Sequence, residues 1–319
     1  MRALWQRLLA VSVVAVAVFA GFSIYADVDA LGDRLSQFAP HAVVLALLLA
    51  LGNYVIRFIR WELYLRAVGA RAPLGTSALV FLSGFAMSVT PGKLGELVKA
   101  VLLREAAGTE ATRVAPVVIA ERATDLLALV LLALVGAAAY GVAVPLALAG
   151  GAVTLAGIGV LGSKRASLAL IDLIARVPRA GRLAPKLRDA YQHLGPLVRL
   201  RALAWGTGFG VAAWLCECLG FAIIVAGFPG AHVPLGLATL IYAVTTVAGA
   251  LSFLPGGLLV TEGSMTLLLV ASARGLDRPA AVAATILTRL CTLWFAVVLG
   301  LVALFVLRRI RPTTAAAID

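Results

Sequence analysis

Val114–Tyr140 reads VAPVVIAERATDLLALVLLALVGAAAY. Apart from Glu121, Arg122 and Asp125 nothing in it carries charge, and about 20 mostly apolar helical residues are enough to cross a hydrocarbon core of about 30 Å. Apolar runs of this kind recur from Leu8 to Leu307 without the alternation of a barrel strand. Backbone amides in lipid must then be satisfied within each segment, as α-helix. The sequence predicts an all-α polytopic membrane protein, a single membrane domain over 1–319, built as a helical bundle of about six full spans and two re-entrant helical hairpins.

Composition agrees. Hydrophobic residues make up 62% and charged residues 13%, against about 25% charged in a soluble domain, and the mean hydropathy is +1.03. The 27 Lys+Arg against 15 Asp+Glu would suggest nucleic acid in a soluble protein. In a membrane protein basic excess collects in cytoplasmic loops, so no nucleic-acid partner is expected. The three cysteines form no zinc or redox motif and the three histidines are scattered near span ends, so neither metal nor cofactor is expected.

Leu8–Tyr25, preceded by Arg2 and Arg7, is a signal peptide or a retained first span, and its length favours the span. An acidic loop with Asp27, Asp29 and Asp33 follows. Span Pro40–Ile59 returns the chain to Arg57, Arg60, Arg66 and Arg71, which the positive-inside rule places in the cytoplasm. Arg60, Trp61 and Arg66 read as an interfacial anchor, as do Arg308 and Arg309. A hairpin over about 74–104 breaks at Thr90-Pro91-Gly92-Lys93-Leu94-Gly95-Glu96. Val114–Tyr140 and a further span ending near Leu161 lead into 163–201, where nine Lys/Arg face only Asp172 and Asp189. This stretch is a basic cytoplasmic linker, either solvated or lying partly on the inner leaflet as an amphipathic helix through Leu168, Ile171 and Ile174. Span Leu203–Phe228, a second hairpin over about 234–273 broken at Pro255-Gly256-Gly257, and span Ala280–Leu307 complete the bundle. Both termini come out cytoplasmic.

The two Pro-Gly breaks align. Ser88-Val89-Thr90-Pro91-Gly92 matches Ser252-Phe253-Leu254-Pro255-Gly256, Glu96 falls near Glu262, and Arg122 falls on Arg289. By the charge rule the first copy enters from the cytoplasm and the second from outside, so 40–140 and 203–307 read as an inverted-topology repeat. Broken helices in inverted repeats mark transporters whose site lies near the midplane.

Counting about 1.5 Å per helical residue puts Arg122 about 12 Å and Arg289 about 15 Å inside their spans. A central Arg costs about 2.5 to 3.5 kcal/mol on the lenient insertion scale, so each should face the bundle interior and find an anion. Candidate partners are Glu96, Glu121, Asp125, Glu217 and Glu262. In one reading Arg122 and Arg289, helped by Lys93 and Arg57, hold an anionic head group while Glu96, Glu121, Glu217 and Glu262 exchange partners. In the other, static Arg–Glu pairs lock the two halves together. Intramembrane ions beside backbone breaks favour the first.

The ordered series Arg57 to Trp61, Pro91-Gly92-Lys93-Leu94-Gly95-Glu96, Glu121-Arg122 and Pro255-Gly256-Gly257 with Glu262-Gly263 resembles the lysylphosphatidylglycerol synthase transmembrane, or flippase-like, domain family. The resemblance covers about Val43 to Leu307. In its best-known members this domain is joined to a soluble aminoacyl-transferase domain and moves aminoacylated phospholipid across the membrane. No such domain follows Leu307, so the expectation is a stand-alone member, and lipid aminoacylation is not carried over. Lys93 stands where the family commonly has Arg, which keeps charge but not bidentate phosphate geometry.

What the resemblance implies, with the charges, is a lipid flippase or lipid-linked-substrate transporter of a bacterial-type inner membrane, not an enzyme. Its expected partners are a membrane phospholipid or polyprenyl-phosphate-linked substrate and anionic lipids at the inner leaflet. The alternatives are a membrane-embedded transferase acting on a lipid carrier and a non-transporting accessory subunit recruited through 163–201.

Overall fold

The computed structural model describes residues 28–90, 95–141, 144–176, 181 and 184–310. The expected first span Leu8–Tyr25 and the Pro91–Leu94 part of the first break, Lys93 included, lie outside the described residues. Among those described, regular structure is helical apart from one antiparallel bridge between His232 and Arg274.

The acidic stretch expected as a loop forms helix α1 (Val28–Ser36), with Asp29 in its first turn and Arg34 in its last, the arrangement a helix dipole favours. Arg34 also pairs with Asp277 at 2.5 Å. α2 (His41–Ala67) runs past the expected end at Ile59. The reason is that Arg57 and Arg60, read from sequence as membrane-edge cations, are buried inside the bundle, and only Arg66 and Arg71 of that group are exposed.

α3 (Leu74–Gly84) begins after Pro73 and ends in a 3-10 turn, Phe85–Met87. After the break come α4 (Val98–Ala107) and α5 (Ala111–Tyr140), closed by Gly108 and Gly141 in left-handed conformation, φ 70° and 67°, which glycine adopts without steric cost. α6 (Val144–Gly162) meets α7 (Lys164–Ala175) at 90°. Ser163 makes that corner: its hydroxyl accepts the Ala166 N–H at 3.3 Å and starts a new helix in a new direction. On α7, Ile171 is buried and Leu168 and Ile174 are half-buried, the face their spacing predicts. α8 (Ala184–Leu194) is tied to α7 by Arg188 and Asp172 at 2.5 Å.

The second half consists of α9 (Leu200–Ala226), α10 (Leu235–Leu251), a 3-10 turn at Pro255–Gly257, α11 (Val260–Ser272), α12 (Arg278–Arg289), a π-helical turn Leu290–Trp294 and α13 (Phe295–Ile310). Asp277 caps α12 by accepting the Ala280 N–H at 3.1 Å. Among the described residues five helices are long and apolar enough to cross a membrane: His41–Ala67, Ala111–Tyr140, Leu200–Ala226, Pro255–Ser272 and Arg278–Ile310. The bent α6–α7 pair makes a sixth if taken as one span.

Packing between the halves is reciprocal. α2 lies on α9, α5 lies on α10, and α13 lies on α3 and its 3-10 turn; the two arms of each broken stretch also pack together, α3 with α4 and α10 with α11. Lipid supplies no hydrophobic drive for such contacts, so they depend on close approach of small residues. A Cβ added at Gly300 of α13 would overlap the backbone of Phe85 and Ala86, and one at Gly136 of α5 would stand 2.7 Å from the Cβ of Leu240.

A candidate lipid head-group site

A charged side chain inside the bundle has to find a partner, and α2, α5 and the Glu96–Lys99 stretch that leads into α4 bring seven of them into one buried network. Asp125 is its hub. Its Oδ1 accepts from Arg60 Nη2 at 2.6 Å, while Oδ2 lies 2.8 Å from Arg122 Nη2 and 3.6 Å from Arg57 Nη2. Arg60 is wholly buried and also donates to Thr124 Oγ1 and to the carbonyl of Gly206. Arg57 packs its guanidinium over the Phe85 ring, 5.1 Å from the centroid. Arg60 and Trp61 are therefore not the interfacial anchor expected. Trp61 is fully buried and donates its indole N–H to Ser77 Oγ at 3.0 Å.

Around Glu96 the network continues. Glu96 Oε1 lies 3.4 Å from Arg122 Nη1 and accepts from Ser88 Oγ at 3.3 Å, and Oε2 lies 3.3 Å from Lys99 Nζ. Lys99 in turn donates to Glu121 Oε2 at 2.7 Å beneath the rings of Trp61 and Phe81, at 4.9 and 5.4 Å. Four cations thus share three carboxylates, and all of them but Arg122 are buried. Buried charges are tolerated on those terms and on few others.

In the second half Arg289 donates through Nε to Glu262 Oε1 at 2.6 Å and through Nη2 to the carbonyl of Gly256 at 2.5 Å. That carbonyl is available because the backbone is broken there. Gly256 and Gly257 have φ of 62° and 68°, and Phe253 and Leu259 on either side hold positive φ of 53° and 73°, conformations that non-glycine residues adopt at a cost. At the first break Thr90 holds the described ends together: its hydroxyl donates to the Met87 carbonyl at 2.7 Å and accepts from Gly95 N–H at 2.8 Å.

Arg122 and Arg289 line one cavity of about 560 Å³. Asp125, Trp214, Thr90, Thr154, Thr246 and Thr261 share its wall. The rest is apolar or glycine, including Leu126 and Leu129 of α5 and Val153, Gly157, Ile158 and Leu161 of α6. The Arg122 side chain is 20% exposed and that of Arg289 10%. A cavity bordered by two cations and otherwise largely apolar can hold the phosphate of an amphiphile and part of its chains.

Of the candidates read from sequence, Arg122 and Arg289 come together in this cavity with Glu96 and Glu262 as their direct partners. Arg57 stands behind Asp125 and Glu121 behind Lys99. Glu217 does not line the cavity; it accepts from Tyr242 Oη at 2.6 Å. Sequence reasoning missed Lys99 and the role of Arg60. Helical spacing held the signal for both, because Lys99 follows Glu96 by three positions and Arg60 follows Arg57 by three, which puts each pair on one face.

A family model described as the lysylphosphatidylglycerol synthase TM region matches residues 10–300 of the chain. No curated protein matches it.

Proposed function

We propose that this chain, which belongs to the family of the lysylphosphatidylglycerol synthase TM region, moves a lipid with an anionic head group between leaflets and binds that head group in the cavity shared by Arg122 and Arg289. The observation that carries the reading is the shared cavity itself: guanidinium groups from α5 and α12 border one space whose remaining wall is largely apolar. A membrane phospholipid or a polyprenyl-phosphate-linked substrate has that polarity, with phosphate for the cations and chains for α5 and α6.

The reciprocal packing of the halves supports an inverted repeat, 40–140 against 203–307, with the broken stretches as re-entrant hairpins. Alternating access would then be a rocking of one repeat on the other around the cavity. The exposed Lys164, Arg165, Arg176, Arg188, Arg199 and Arg201 and the 90° turn into α7 support a cytoplasmic inner-leaflet position for that segment, in an inner membrane with both termini cytoplasmic. We read the chain as a transporter and not an enzyme because Asp125, Glu96, Glu121 and Glu262 each stand beside an Arg or Lys, so none is poised as a general base.

The test is reconstitution into vesicles with phosphatidylglycerol carrying a fluorescent acyl label, followed by quenching from outside. Movement is expected, and Arg122→Ala and Arg289→Ala should each slow it about tenfold or more, a loss of about 1.4 kcal/mol of stabilisation. Unchanged rates in folded variants would sink the reading. A new lipid species by mass spectrometry would instead favour a transferase.

A further inference from the structure

The two halves differ at one place that bears on the cavity. Lys99 lies three residues after Glu96, and Met265 lies three residues after Glu262; Glu121 directly precedes Arg122, and Thr288 directly precedes Arg289. In matching register, therefore, the first half carries a buried Lys99–Glu121 ion pair where the second carries buried Met265 and Thr288. The neighbouring Glu–Arg contacts differ accordingly. Glu96 stands 3.4 Å from Arg122 and shares its carboxylate with Lys99, whereas Glu262 accepts from Arg289 at 2.6 Å.

We propose that Lys99, held by Glu121, is a positioning residue that draws Glu96 away from Arg122 and leaves Arg122 as the cation that first meets the phosphate of an incoming lipid. The physical reason is competition. Two cations on one carboxylate each receive less of it, and the geometry of Lys99 is set by its own 2.7 Å bond to Glu121, by the rings of Trp61 and Phe81 and by Gly84, where a Cβ would run into the Lys99 stem at 2.7 Å. The Arg122 side chain is accordingly the more exposed of the two, 20% against 10%, although its Nε and Nη2 are buried. In the second half no lysine competes at the matching position, and Arg289 is held by Glu262 and the Gly256 carbonyl together, whereas Arg122 keeps through Nη2 a 2.8 Å contact with Asp125, an acid it shares with Arg60 and Arg57. The two arginines thus have unequal roles, Arg122 as receiver and Arg289 as the more firmly held wall of the site.

This inference rests on the cavity being a lipid-phosphate site, and the experiment separates the two. Phosphatidylglycerol is titrated into detergent-solubilised full-length protein and the bound fraction read by native mass spectrometry. The variant Lys99→Met/Glu121→Thr grafts the second-half residues into the first and removes a buried pair without leaving either charge alone. It should bind phosphatidylglycerol several-fold more weakly, Arg122→Ala should then add little, and Glu96→Gln on the graft should restore binding because a neutral amide no longer captures Arg122. A purely structural role for Lys99 would give no such rescue. Glu96→Gln alone, which does not depend on the graft folding, should bind more tightly than wild type, and the gain should vanish with Arg122→Ala. If Arg122→Ala weakens wild-type binding but the graft binds normally, or if Glu96→Gln fails to rescue or to tighten, the positioning role is wrong and the lipid site stands. If wild type does not bind, or Arg122→Ala binds as wild type, the site itself is wrong and this inference with it.

Discussion

Arg60 donates from a wholly buried guanidinium to Asp125 Oδ1 at 2.6 Å, and Arg122 and Arg57 approach the other oxygen of the same carboxylate. One acid on α5 therefore neutralises cations from two helices and fixes the face that Arg122 presents to the cavity. Asp125→Asn would leave three guanidiniums crowded together. Breaking a buried pair from one side typically destabilises by about 3 to 5 kcal/mol, so this variant should show the largest loss of thermal stability in detergent among single changes in the network. An unfolding midpoint close to wild type would show that solvent or lipid screens the cluster.

The bonds of Arg289 to Glu262 and to the Gly256 carbonyl need a planar fork. Arg289→Lys keeps the charge but cannot hold both acceptors at once. Lipid movement in vesicles should fall to a level between wild type and Arg289→Ala, and equal rates for Lys and Arg would mean that charge alone matters there.

Gly157 of α6 borders the cavity, and a Cβ added to it meets nothing within 4 Å. Gly157→Phe should consequently be accepted by the fold while filling space meant for lipid chains. Unfolding temperature should be maintained or slightly raised, since glycine inside a helix is unfavourable by about 0.5 to 1 kcal/mol relative to alanine. Transport should be lost. Transport that persists at the wild-type rate would place the lipid path elsewhere.

Gly300 tests the contact between halves, because any side chain there overlaps the backbone of Phe85 and Ala86. Gly300→Val should destabilise by about 1 to 3 kcal/mol, the usual range for overpacking. A neutral result would mean that α13 and α3 separate readily.

Tyr242 donates to Glu217 at 2.6 Å away from the cavity. Tyr242→Phe removes a hydrogen bond to a charged group, worth about 1.5 to 3 kcal/mol. Stability should drop by that amount while the transport rate per folded protein is kept. A transport defect at full stability would bring Glu217 into the mechanism.

Much of the architecture was legible in the chain itself. Long apolar runs require helices because lipid offers backbone amides no other partner, and Pro-Gly interrupts them because proline lacks the donor and glycine tolerates left-handed backbone. Depth and charge alone put Arg122 and Arg289 in the interior and gave Glu96, Glu121, Asp125, Glu217 and Glu262 as candidate partners, without dividing them between the two arginines. Arg60 and Trp61 misled for a definite reason. A cluster of arginines beside a tryptophan at the end of an apolar run has the composition of a membrane interface, and only the acid on another helix reveals it as interior.

Local chemistry along the chain was enough to decide that helices form, that Pro-Gly would interrupt them and that Arg122 and Arg289 cannot face lipid, since these follow from hydrogen bonding and solvation residue by residue. Tertiary structure alone decided that Arg122 and Arg289 border the same space, that Asp125 serves three guanidiniums and that Glu217 turns elsewhere. Partnership between side chains depends on how helices rotate and cross, and many rotations bury the same apolar area while only one brings these particular atoms within reach.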